Sequence, residues 1–235
     1  MRLDKLLAHC GLGTRKEVKK IIKNGLVKIN GQIIKKDDFQ VREDQDQICV
    51  DGQPIYYEKY VYIMLNKPAG YISATEDGLH PTVVSLIDGY EHFHLFPVGR
   101  LDIDTHGLIF LTNDGMLAHN LLSPKKQVSK IYYAKIDGVV TKADQDLFKA
   151  GIELEDFTCM PANLKILNSD DSQSEVEVEI YEGKFHQIKR MFEKVGKKVI
   201  YLKRLKMKTL VLDPNLEEGE YRLLTQEELD NLKKI

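Results

Sequence analysis

The chain has 235 residues, 43% of them hydrophobic, with 34 Lys and Arg against 36 Asp and Glu. That supplies a core for one large domain plus a small one, and no run approaches the length of a transmembrane helix. Three cysteines (Cys10, Cys49 and Cys159) at no metal-binding spacing speak against a disulfide-stapled or zinc-stapled chain, so the expectation is a soluble cytoplasmic protein away from membranes.

The formal net charge of -2 hides a partition. Residues 1–36 carry a balance of +8 and residues 184–208 one of +9, leaving -19 for the remainder. Two basic patches on an acidic body make a focused footprint for a polyanion. A dinucleotide fingerprint, a P-loop and an HExxH site are all missing.

In chain order, Leu3, Leu6 and Leu7 recur at helical spacing, so Met1-Arg2-Leu3-Asp4 opens a patterned helix and not a signal peptide. Gly11 ends that helix. Thr14-Arg15-Lys16-Glu17 is a capping box for a second one, with Val18, Ile21 and Ile22 as its buried stripe and Gly25 past its end. Lys16, Lys19, Lys20 and Lys23 fall largely outside. Strands at 27–29 and 32–34 flank Asn30-Gly31, a strong hairpin signal. An acidic stretch then leads to a strand at 47–50 and the turn Asp51-Gly52. Residues 54–59 read as a linker, which divides the chain into 1–58 and 59–235.

The first part closely resembles the small RNA-binding module named after ribosomal protein S-four. Arg2-Leu3-Asp4-Lys5-Leu6-Leu7, Gly11, Thr14-Arg15 and Gly25-Leu26-Val27-Lys28-Ile29-Asn30-Gly31 carry the likeness. A basic helix face beside a hairpin suits contact with RNA backbone and shape, with Arg2, Lys5, Arg15, Lys16 and Lys19 as the candidate contacts.

Further on, a strand at 60–65 runs into Asn66-Lys67-Pro68-Ala69-Gly70, read as a rigid turn presenting a lysine. A short apolar element follows Thr82, and residues 89–96 read as a possible substrate-facing loop. Gly99 and Gly107 bracket Arg100, Asp102 and Asp104 ahead of the apolar run 108–111. A short helix stops at Ser123-Pro124. Lys125, Lys126 and Lys130 then lead into a strand at 131–136. Residues 139–150 read as an acidic helix, 152–157 as extended and 175–181 as a half-exposed strand. A helix at 185–195 carries the stripe Phe185, Ile188, Phe192 and Val195. Strands at 199–202 and 207–212 come next, and Thr225 with Glu228 caps a last helix. Many strands, hairpins and few long helices give an α+β fold with a mixed, mainly antiparallel sheet.

Asp102 and Asp104 invite a glycosidase reading, but two acids two residues apart do not establish carboxyls placed across a sugar. His106 and His119 lack a ligand cluster. Four ordered segments say more: Asn66-Lys67-Pro68-Ala69-Gly70; Gly99-Arg100-Leu101-Asp102 through Asn113-Asp114-Gly115; Ser123-Pro124-Lys125-Lys126 through Lys130-Ile131-Tyr132; and Gly183-Lys184-Phe185-His186-Gln187-Ile188-Lys189-Arg190. They resemble the pseudouridine synthases, most of all the ribosomal small-subunit branch. With the amino-terminal module, the likeness covers nearly the whole chain.

The resemblance implies isomerisation of a uridine within RNA, with no cofactor or metal and no obligate protein partner. It places the essential aspartate at Asp102, the active-site tyrosine at Tyr132 and the basic partner of the aspartate at Lys189. Attack on C6 of the base, attack on C1′ of the sugar and a glycal route all stay open. Strand alternation sends Tyr132 and Tyr133 to opposite faces, so only one faces the site. Arg190 is expected to meet phosphate, Lys67 either supports the active-site turn or touches RNA, Lys130 is a further RNA candidate, and Arg100 either contacts backbone or fills the place of the flipped nucleotide. The expected substrate is 16S ribosomal RNA or an early small-subunit particle. A large-subunit uridine, or a non-catalytic assembly factor, is the alternative. Flipping is cheapest in unpaired RNA, and binding is expected to weaken steeply with salt.

Overall fold

The computed structural model describes residues 1–234. Its contacts divide the chain into two units, one of Met1–Tyr60 with Gly89–His94, the other of Val61–Asp88 with the chain from Leu95 onward.

In the first unit, α1 (Leu3–His9) and α2 (Arg15–Lys23) pack on a sheet of β1 (Val27–Ile29), β2 (Gln32–Ile33), β3 (Ile48–Val50) and β4 (Gln53–Ile55), in the order β2-β1-β3-β4. Thr14 and Glu17 close the capping box as expected, and Val18 and Ile22 are fully buried. Asn30 and Gly31 both take positive φ, the geometry a tight hairpin needs. The expected linker is shorter than its sequence suggested. Asp51 and Gly52 make a second such turn, which folds residues 53–55 back onto β3 as β4. In residues 89–94, expected as part of a substrate-facing loop, Phe93 is buried, with its ring edge-on to His9 at 5.7 Å.

The second unit is built on β5 (Tyr62–Lys67), β6 (Phe96–Val98), β7 (His106–Thr112), α3 (Gly115–Leu122), β8 (Lys130–Asp137), α4 (Lys142–Ala150), β9 (Asn163–Ser169) and β10 (Gln173–Ile180). It continues with α5 (Gln187–Lys194), β11 (Lys198–Met207), β12 (Leu210–Val211), β13 (Tyr221–Leu223) and α6 (Gln226–Lys233). The main sheet runs β13-β5-β7-β11-β8-β10-β9. All pairs are antiparallel except β7 with β11, so the sheet is mixed but mainly antiparallel. The strand expected at 199–202 extends to the 10-residue β11, the one expected at 207–212 shrinks to β12, and the extended reading of 152–157 reduces to a single bridge between Glu153 and Thr158.

The parallel β7–β11 contact fixes the site. Gly107 faces Arg204 across it with φ +96, and a Cβ there would lie 2.8 Å from the Arg204 backbone nitrogen and closer still to its carbonyl oxygen. Backbone on backbone cannot yield as a flexible side chain does. Gly107→Ala is therefore expected to cost about 3 kcal/mol or more, combining positive φ with overpacking. A thermal melt indistinguishable from wild type would refute this.

Candidate active site

Asp102 sits in the loop of residues 99–105 that feeds β7, and that loop is tied down from several sides. Ser73 Oγ accepts from the Leu101 amide and donates to the Leu101 carbonyl, both at 2.9 Å. The Gly70 amide donates to the Ile103 carbonyl at 2.8 Å. Lys67, expected at the surface of a turn, is instead the fully buried last residue of β5. Its Nζ donates to the carbonyls of Thr105 (2.7 Å), Pro68 (3.0 Å) and Ile103 (3.3 Å). With its donors spent inside the protein it supports the active-site turn, the first of the two roles the sequence left open, and its placement as an RNA contact is corrected. Burial pushes its ammonium down to about 8, while Asp104 and Asp102 pull the other way.

Asp102, Tyr132 and Lys189 line one cleft of ≈ 60 Å³, together with Arg100, Thr105 and His186. The Lys189 ammonium lies 3.4 Å from Asp102 Oδ2 and 2.6 Å from Asp104 Oδ1. It is shared between two carboxylates, whereas the sequence reading paired it with Asp102 and gave Asp104 no role. Partial burial raises the Asp104 carboxyl, but the Lys189 hydrogen bond and charge outweigh this and hold it below the usual range. Tyr132 is buried on the cleft wall, and Tyr133 on the other face of β8 donates to Glu175 at 2.6 Å. A larger cavity of ≈ 290 Å³ adjoins, sharing Arg100, Tyr132, Gly183 and Lys184 with the cleft.

Of the other basic candidates, Arg100 is exposed at the cleft. Lys130 is half-buried, donates to the Val128 carbonyl at 2.7 Å, and is pushed down to about 8 by burial. It lines the larger cavity and is not a surface cation. Arg190 is held by Asp156, so a phosphate would have to compete with that carboxylate. In the first unit Arg2 and Arg15 both engage the buried Asp4, at 3.0 and 2.8 Å, and Lys19 engages Asp37 at 2.9 Å. Lys5 and Lys16 are exposed.

Two residues had no role in the sequence reading. His186 places Nε2 3.8 Å from Asp102 Oδ1. Arg204 is buried inside β11, with Nε donating to the Leu108 carbonyl at 2.7 Å and Nη2 lacking a partner among the described residues. Strand alternation from Leu202 to Arg204 was the available signal, and only the irregularity between Arg204 and Lys206 brings Met207 to the buried face as well.

Comparison with known proteins fits this geometry. The family model described as RNA pseudouridylate synthase matches residues 61–194, and that of the S4 domain matches residues 1–48. The chain therefore belongs to the RNA pseudouridine synthases, which are isomerases, and carries an amino-terminal S4 domain. It is 46% identical to the Bacillus subtilis protein described as an uncharacterized RNA pseudouridine synthase, YtzG, covering 100% of this chain and 99% of the relative. It is 41% identical to ribosomal small subunit pseudouridine synthase A of Vibrio parahaemolyticus over 99% of both chains. It is also 38% identical to ribosomal large subunit pseudouridine synthase B of Bacillus subtilis, covering 100% of this chain and 96% of that one. A crystal structure of a pseudouridylate synthase superposes with a TM-score of 0.69 at 39% identity, over 99% of both chains.

Proposed function

We propose that this enzyme converts a uridine of 16S ribosomal RNA, free or in an early small-subunit particle, to pseudouridine, with Asp102 as the nucleophile. The observation that carries the reading is the Asp102 carboxylate, 28% exposed, in one cleft with Tyr132 and within 3.4 Å of the Lys189 ammonium. The ammonium holds the carboxylate in place on the cleft wall, and a carboxylate is the form that acts as a nucleophile. In the reaction the N1–C1′ bond breaks, the uracil turns and C5 bonds to C1′. The C5 proton leaves and N1 gains one, so the formula is unchanged. Asp102 attacks C6 or C1′, or assists a glycal route, and Tyr132 supplies a ring for the uracil and a hydroxyl for the proton at C5. Similarity to the Vibrio small-subunit enzyme supports the 16S target. Similarity to the Bacillus subtilis large-subunit enzyme keeps a 23S uridine as the second reading.

The purified protein would be incubated with unmodified 16S and 23S transcripts and an early small-subunit particle, and pseudouridine mapped at nucleotide resolution. One new site in 16S RNA supports the first reading; a site in 23S RNA alone replaces it with the second.

Lys189→Met is expected to slow single-turnover pseudouridine formation by about 10²- to 10³-fold, since it removes the cation that orients the Asp102 carboxylate at 3.4 Å. Lys189→Arg should retain most of the rate. Asp104 is exposed, so Asp104→Asn should leave the rate within about fivefold. Equal losses in Lys189→Met and Asp104→Asn would mean that the ammonium serves Asp104 instead.

A further inference from the structure

The pattern of residues 185–195 puts Phe185 on the apolar stripe of a helix, and the structure turns it out of that stripe. Ile188 and Phe192 are buried as the pattern requires, yet Phe185 is 66% exposed. The cause is local. The helix starts only at Gln187, because His186 takes a left-handed conformation, φ 49 and ψ 29, as its N-cap. For a histidine that conformation costs on the order of 1 kcal/mol, and it makes no capping hydrogen bond in return. What it does secure is a stack. The Phe185 and His186 rings lie face to face, centroids 3.8 Å apart and planes 16° apart.

That stack grows out of the cleft wall. His186 lines the cleft with its Nε2 3.8 Å from Asp102, and Lys184, which precedes Phe185 in the chain, lines it too, its ammonium 5.7 Å from the Phe157 ring. A largely solvent-open aromatic face, backed by a second ring at the rim of the cleft proposed to take a uridine, matches the flat π face of a nucleobase. In a chain of RNA, the group within reach when one uridine occupies the cleft is the base beside it. Unstacking the uridine leaves that neighbour with an uncovered face, and an aromatic side chain is the usual replacement.

We propose that Phe185, held against His186, is a stacking platform for the nucleobase adjacent to the uridine that enters the Asp102 cleft. The platform rests on the reading of the ligand as RNA and adds a second nucleotide subsite to it. It recognises a base by its face, so it anchors the RNA without selecting a sequence.

The test uses full-length protein, with Phe185→Ala, Phe185→Leu and Phe185→Trp, and the rRNA fragment that the wild-type enzyme modifies, carrying 2-aminopurine on either side of the target. Phe185 is exposed, so all three variants should melt like wild type. Phe185→Ala and Phe185→Leu are expected to weaken RNA binding by about 5- to 150-fold. They should also lose the fluorescence quench at one flanking position, and Phe185→Trp should restore both. Leucine is the deciding variant, because it keeps apolar area and lacks the π face. Wild-type affinity and quench in Phe185→Leu would overturn the platform. If wild-type protein modifies neither rRNA, the functional reading itself fails; if it modifies one and the variants bind unchanged, only the platform does.

Discussion

Asp102→Asn is expected to abolish pseudouridine formation while leaving RNA binding in place. Asparagine has the same shape, and a side chain 28% exposed at the mouth of a cleft carries little of the fold's stability. The Lys189 ammonium keeps its 2.6 Å bond to Asp104, so no buried charge is orphaned. What is lost is the only atom in this arrangement proposed to bond to the substrate, and an amide oxygen is a far weaker nucleophile than a carboxylate. The rate should fall by roughly 10⁴-fold or more, as when a nucleophile is removed from a site whose other parts persist. RNA affinity should stay level or rise slightly, since one negative charge leaves a surface that meets a polyanion. Single-turnover mapping beside a filter-binding titration reads both quantities. A variant within tenfold of wild type would remove Asp102 from the role of nucleophile.

Lys67→Met carries the largest expected loss of stability. Methionine nearly matches the volume but leaves the carbonyls of Pro68, Ile103 and Thr105 without the donor they share. Buried acceptors stripped of a charged donor cost about 3–5 kcal/mol in total, which for a protein of this size lowers the melting temperature by about 10 °C. Activity should fall as well, because Ile103 and Thr105 flank the loop that aims Asp102, and a displacement on the order of 1 Å costs about 10²-fold. The pH dependence has a definite sign. The folded-state value of Lys67, about 8, lies below its ordinary 10.5, so between those values the unfolded chain holds the extra proton. The penalty for burying the ammonium is full below about pH 8 and is relieved as pH rises toward 10.5, so this group makes stability increase across that window. The melting-temperature gap between wild type and Lys67→Met should therefore widen from pH 8 to 10. A melt within 1 °C of wild type at pH 7 would show that the three carbonyls do not depend on this lysine.

Both variants act on one short loop, one through its chemistry and the other through its backbone. Asp102 carries the proposed chemistry, and Lys67 holds the backbone on either side of it. The first should separate turnover from stability, and the second should move them together.

The sequence by itself determined whatever depends on neighbours in the chain. The capping boxes at Thr14 and Thr225 and the hairpin at Asn30-Gly31 form as their residues predict, because each is settled within four residues. The alternation of Val176, Val178 and Ile180 likewise gave the buried face of β10. Asp102, Tyr132 and Lys189 were legible as candidates through resemblance, and the structure brings the three to one cleft. Tertiary structure alone decided the rest. The edge strand β9 is largely exposed, so only pairing with β10 makes it a strand. Phe185 has the right spacing for a core position, but the left-handed His186 turns it outward. Lys67 lies in a Pro- and Gly-rich stretch that looks like a surface turn, yet its acceptors at Ile103 and Thr105 are 36 and 38 residues away. Whether a charge can be buried depends on what the fold places around it, and local spacing carries no record of partners so far along the chain.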